Sequence, residues 1–199
     1  MIIISAIEPA KLNLDLLIEN KSENNIIYQG KFGQFVYLLK SDRINTWKNS
    51  VRSFLKQKEN EFLFLGHGKN ITNNNYSGCI ISGHVNLSGE NPLIGKNADK
   101  FGPRFFDVGD LYSEKLRKKI FKNNNKFLTD NILIPKKIDD LTELEKRVLN
   151  LSEISFAALT RDVFAGALIA KHGNAATAGL VLFQDSFDLN EIINFAEIS

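Results

Sequence analysis

A single cysteine among 199 residues rules out an internal disulfide and a thiolate metal cluster. Cys79 sits in Gly78-Cys79-Ile80-Ile81, the setting of a buried strand thiol, and no metal ligand set is expected. Charge of one sign is also scarce, because 25 Lys and Arg against 23 Asp and Glu leave a formal charge of +2. A surface built for polyanions needs more, and the basic run from Leu116 to Lys126 reads as the solvated face of a helix and its following loop. Nucleic acid is therefore not an expected partner. No apolar run approaches the ~20 residues that cross a bilayer. Met1-Ile2-Ile3-Ile4 has no basic segment ahead of it and is too short for a secretory core. A cytoplasmic protein without membrane contact is expected. Proline is rare too, at four residues, yet Pro92 and Pro103 fall in one stretch.

That stretch, Gly83 to Tyr112, also holds Gly83, Gly89, Gly95, Gly102 and Gly109. Neither helix nor strand runs through such punctuation, so it is expected to be a loop. Loops of this length inside a domain serve as binding loops or lids, or are disordered. Leu87, Leu93, Ile94, Phe101, Phe105 and Phe106 supply apolar anchors that a solvated tail lacks.

A content of 43% hydrophobic residues is that of an ordinary globule, and the length suits one domain, residues 1–199, with a substantial core. Ile2 to Ile7 reads as a buried first strand ended by Glu8-Pro9, and Leu12 to Ile18 as a short helix. Asn24–Tyr28 and Phe32–Leu39 read as a hairpin about Gln29-Gly30-Lys31. Thr46 is a candidate N-cap for a helix with Trp47, Val51, Phe54 and Leu55 inward. Glu61–Leu65 reads as a central strand leading into a Gly66-His67-Gly68 turn, and Gly78–Ser82 as another strand. Helices at Ser113–Lys122, Leu141–Leu149 and after Asp162 alternate with strands at Asn131–Ile134, Ile154–Leu159 and Thr177–Phe183. That alternation predicts an α/β fold of three layers, with a mixed, twisted central sheet flanked by helices.

Sheets of this type bind ligands beyond the carboxyl ends of their strands. Glu8, Gly66-His67-Gly68, Thr160-Arg161-Asp162 and Gln184-Asp185 fall at such ends, as does Arg43. Two glycines around His67 suit a close backbone approach to an anion or sugar, and equally a tight turn. Asp162 and Asp185 also fit as helix caps.

His84-Val85-Asn86-Leu87, Asn91-Pro92-Leu93-Ile94-Gly95, Phe101-Gly102-Pro103-Arg104-Phe105 and Asp110-Leu111-Tyr112 resemble, in order and spacing, a segment of the trimeric purine nucleoside phosphorylases. The resemblance implies cleavage of the N-glycosidic bond of a purine-like nucleoside. Phosphate is the implied acceptor, as a co-substrate with no other cofactor; water and a non-catalytic binding role are the alternatives. It places phosphate at Arg43, Gly66, His67 and Gly68, with the ribose or base at Thr160, Arg161 and Asp162. Asp185 falls where the phosphorylases carry a purine-binding Asn and related nucleosidases an Asp that protonates the base, and Glu8 near another nucleosidase carboxylate. Phe105 matches an aromatic lent to a neighbouring subunit's ribose pocket, so a homo-oligomer, trimer or hexamer, is implied. Two motifs depart from the pattern. The Gly-Ser-Gly phosphate loop is replaced by Ser5-Ala6-Ile7-Glu8, and the purine-reading Phe-Glu-Thr by Ile138-Asp139-Asp140-Leu141.

Overall fold

Hydrophobic residues that alternate along a strand buried on both faces build two cores at once. In the computed structural model, which describes residues 1–40, 44–151 and 153–197, strands β1 (Ile2–Ser5) and β5 (Glu61–His67) do this. Ile2, Ile4, Phe62 and Phe64 pack into one core, and Ile3, Leu63 and Leu65 into the other. Helices α1 (Ile44–Leu55) and α4 (Phe164–His172) cover the first face through Trp47, Val51, Phe54, Phe164 and Ala167. Helix α2 (Glu114–Ile120) covers the second through Leu116 and Ile120. The expected three-layer α/β fold is therefore present.

The remaining strands are β2 (Leu17–Lys21), β3 (Asn25–Gly30), β4 (Gly33–Leu38), β6 (Lys69–Asn70), β7 (Gly78–Asn86), β8 (Phe127–Ile134), β9 (Phe156–Leu159) and β10 (Ala176–Leu182), with α3 at Glu143–Leu149. They form one mixed sheet in the order β2-β3-β4-β1-β5-β10-β7-β8-β9-β6. β4, β1, β5 and β10 are parallel, β7 turns antiparallel against β10, and β8 and β9 follow β7. The last strand, β6, leaves β5 after Gly68 alone, yet pairs with β9 at the far end of the order. The sheet thus curls until β9 returns to the end of β5.

Several elements differ from the expected ones. The helix expected over Leu12–Ile18 is a 3-10 turn at Pro9–Leu12 followed by edge strand β2, whose Leu17 and Ile18 are 76% and 66% exposed. Thr46 lies inside α1 instead of capping it. The Gly66-His67-Gly68 turn is not a turn, because Gly66 and His67 continue β5 opposite Val181 and Leu182. The long loop begins later than Gly83, since β7 extends through His84, Val85 and Asn86 by pairing with β8. Leu144 of α3 faces solvent. That helix is anchored instead by a capping box between Thr142 and the buried Glu145.

The loop from Leu87 to Tyr112 lies along α1 and α4. Arg52 stacks its guanidinium 5.4 Å from the Phe101 ring centroid. Asn97 Oδ1 lies 3.1 Å from His172 Nε2, and Lys48 Nζ donates to Pro92 O at 3.5 Å. Gly102 passes so close that a Cβ there would meet His172 O, which explains glycine at this position. No helix among the described residues is long and apolar enough to cross a membrane.

Candidate functional site

Where the sheet closes on itself, two residues after β9, Thr160 and Asp162, meet the end of β5. Thr160 is fully buried, and its hydroxyl donates to His67 O at 2.6 Å while accepting Asp162 N–H at 3.1 Å. Asp162 in turn accepts the backbone N–H of His67 through Oδ2 at 3.0 Å. Both backbone groups of His67 are therefore tied to the Thr160–Asp162 segment. Asp162 does not cap α4, which begins without a side-chain cap.

The glycines on either side of His67 answer to this crowding. A Cβ at Gly66 would lie 2.5 Å from Asp162 Cβ, and one at Gly68 would lie 2.4 Å from Val181 Cγ1. Neither glycine has a positive φ, and Gly68 N–H already donates to Leu182 O at 3.0 Å. They allow elements to pack closely and do not form an open anion-binding turn.

His67, Gly68, Ile138, Arg161 and Asp162 line a cavity of about 580 Å3 together with the exposed Lys69 and Asp139, which pair at 3.5 Å. Arg161 forms an ion pair with Glu90 of the long loop at 2.6 Å and also donates to Lys136 O. Burial lowers the pKa of the half-buried His67 imidazole, and the Lys11 cation lowers it further, while the Asp185 carboxylate opposes both. Lys11 and Asp185 are thus electrostatic neighbours of His67. Asp185 itself is exposed, on the loop after β10, and the 3-10 turn at Leu189–Glu191 is capped by Asp188.

No family model matches the chain. Over 72 residues it is 38% identical to the purine nucleoside phosphorylase of Saccharomyces cerevisiae, which is 29% of this chain and 23% of the yeast protein. Over 38 residues it is 53% identical to purine nucleoside phosphorylase 1 of Geobacillus stearothermophilus, 19% of this chain and 14% of that one. The matched stretches therefore span less than a quarter of these relatives. Similarity in three dimensions extends much further. The Schistosoma mansoni purine nucleoside phosphorylase in complex with adenosine superposes with a TM-score of 0.72 at 16% identity, over 99% of this chain and 82% of that one. A purine nucleoside phosphorylase in complex with ribose-1-phosphate gives 0.70 at 14%, over 99% and 84%. This chain has the nucleoside phosphorylase fold.

On this phosphorylase fold the segment that replaces the phosphate loop and the remaining expected residues are spread more widely. Ser5, at the end of β1, is buried, and its hydroxyl donates to Ile7 O at 2.7 Å and accepts Ile7 N–H at 2.8 Å. Glu8 is exposed, and its charge is felt at Tyr28. Arg43 lies outside the described residues. Phe105 is 86% exposed, on the long loop. A larger cleft, about 800 Å3, lies between the Ser22–Asn25 turn, α1 and Gly89–Ile94. Glu90 lines that cleft and Arg161 the smaller cavity, so their ion pair forms a shared wall.

Sequence reasoning missed Lys11, Lys69, Glu90 and Val163 as parts of this region. The first three are ordinary polar residues with no motif around them. Val163 reads as the apolar start of a helix, and only its backbone shows otherwise. It has φ 66 and ψ −40, an outlier for a β-branched residue that costs on the order of 1–3 kcal/mol. Among the described residues no group of three or more His, Cys, Asp or Glu is arranged to hold a metal ion.

Proposed function

We propose that this protein binds a purine-like nucleoside at the joined ends of β5 and β9 and cleaves its N-glycosidic bond, with phosphate or water as acceptor. The observation that carries this reading is the carboxylate of Asp162, held by His67 N–H at 3.0 Å on the wall of a 580 Å3 cavity. A carboxylate offers two acceptor oxygens and suits the paired hydroxyls of a ribose. In the reaction the bond from the ribose anomeric carbon to the base nitrogen breaks, and its electron pair leaves with the base. Asp185, in its acid form, delivers a proton to the departing base, the ordinary use of a general acid. An oxygen of hydrogen phosphate or water forms the new bond to carbon, and the proton which that acceptor loses restores the acid form of Asp185 through solvent. The His67 imidazole and Arg43 hold the anion when phosphate is the acceptor, since a guanidinium matches its oxygens in pairs. Phe105 completes the ribose pocket of a neighbouring copy in a trimer or hexamer.

One observation favours a second reading, binding without turnover. Gly68 N–H, which the resemblance puts at phosphate, is committed to Leu182 O, and the Ser5 hydroxyl, in the segment that replaces the phosphate loop, is committed to Ile7 in both directions. Chromatographic assay of free base from a nucleoside panel, with and without phosphate, separates the readings. Base release that is lost in Asp162→Asn and Asp185→Asn supports cleavage. Calorimetric binding without release supports the second reading, and neither binding nor release from folded protein defeats both.

A further inference from the structure

An aspartate at a helix N-cap ordinarily turns its carboxylate back onto the N–H groups of the first turn. Asp162 stands one residue outside the N-cap of α4, which is Val163, and its carboxylate crosses instead to β5 and accepts His67 N–H at 3.0 Å. The residue between them explains the departure. Val163 has φ 66 and ψ −40, and Phe164 N–H donates to Asp162 O at 2.8 Å. A hydrogen bond from residue i+2 to residue i around a central residue of this conformation is a γ-turn of the uncommon positive-φ kind.

We infer that Val163 is a positioning residue, whose buried side chain wedges a strained γ-turn that aims the Asp162 carboxylate away from α4 and into the cavity at His67. Its importance for turnover rests on the nucleoside-cleaving reading above. Glycine adopts this backbone freely, so valine is present for its side chain. Val163 is fully buried in the core beneath α1 and α4, and its Cγ1 lies 3.2 Å from the point a Cβ on Gly66 would occupy. The absent side chain of Gly66 and the present one of Val163 are complementary: the first makes room for the turn, and the second prevents it from unwinding. Thr160 fixes the other end, because its hydroxyl accepts Asp162 N–H and donates to His67 O. With both ends held, the carboxylate is presented in one orientation before any ligand arrives, and the ordering cost is met during folding.

The test compares Val163→Gly, Val163→Ile and Asp162→Ala with the parent protein by amide hydrogen exchange at individual residues. In Val163→Gly the His67 amide should exchange at least tenfold faster, approaching its rate in Asp162→Ala, while Leu63 and Leu65 on the same strand keep their parent rates. Val163→Ile, which retains the branch at Cβ, should keep the parent rate at His67. An unchanged His67 rate in Val163→Gly, or acceleration of all β5 amides together, would show that Val163 serves packing alone and would overturn the inference. In the base-release assay Val163→Gly should lower kcat/KM at least tenfold. If the parent protein releases no base, the nucleoside-cleaving reading fails while the exchange measurement still decides this one.

Discussion

His67 and Asp162 are 95 positions apart in the chain, and the N–H of one meets the carboxylate of the other at 3.0 Å. Gly66 makes the contact possible, since a Cβ there would lie 2.5 Å from Asp162 Cβ. Gly66→Ala is expected to push β5 and the β9–α4 connection apart at a cost of about 1–3 kcal/mol, the usual range for overpacking. Denaturant unfolding measures this loss. A stability equal to that of the parent protein would mean that the two segments separate freely.

Stability should also fall on acidification because of His84. Burial pushes its imidazole down to about 4, and Nδ1 lies 3.0 Å from the Tyr112 hydroxyl. The unfolded chain takes up this proton near the ordinary value of 6.5, so between pH 6.5 and pH 4 it binds more protons than the fold does. Stability is therefore full above pH 6.5 and declines as pH drops towards 4, by about 3 kcal/mol from this residue. His67 and His172 are shifted in the same direction, chiefly by burial, and add to the decline. Unfolding at pH 7.5 and pH 4.5 should show a slope that is much reduced in His84→Gln. An unaltered slope in that variant would assign the effect elsewhere.

Glu145 fixes the chain that leaves β8 towards the cavity wall. Its carboxylate accepts Lys136 N–H at 2.6 Å, Thr142 N–H at 2.6 Å and the Thr142 hydroxyl at 2.7 Å. Burial pushes its pKa upward, but these hydrogen bonds outweigh burial and hold it below the usual range. Glu145→Ala leaves these donors unmet and should cost about 1–3 kcal/mol. The contribution is present above the unfolded pKa and disappears as pH falls through the folded one, so the variant and the parent should converge in acid. Paired denaturation curves at neutral and acidic pH test this.

Phe105 is the most exposed large hydrophobic residue on the described chain, at 86%. A bare aromatic on a pinned loop suits a subunit contact. Sedimentation should show an assembly that Phe105→Ser dissociates or weakens at least tenfold, with monomer stability unchanged. A parent protein that sediments as a monomer at high concentration would remove the interface role.

The three-layer arrangement was legible because Ile2 to Ile4 and Phe62 to Leu65 are apolar at every position, which suits only strands covered on both sides. The long loop was legible from its glycines and prolines, although β7 extends three residues past Gly83 by pairing with β8. Leu17 and Ile18 misled, because a run at a sheet edge carries the same letters as an amphipathic turn, and their exposure at the edge strand β2 is a property of the neighbours it lacks. For the site, the sequence placed His67, Asp162 and Asp185 at strand ends and left Gly66 and Gly68 as either a close approach to an anion or sugar or a tight turn; the fold uses them as clearance for Asp162 and Val181.

The residue order alone determined which segments are buried strands, which helices cover them and where the chain is punctuated, since these follow from local periodicity and backbone preference. Only the tertiary structure decided that β9 returns to β5, that Asp162 faces His67 and not its own helix, and that Val163 adopts a strained turn to hold it there. Those relationships depend on how far the sheet curls, a property summed over all its strands, and no short stretch of sequence carries it.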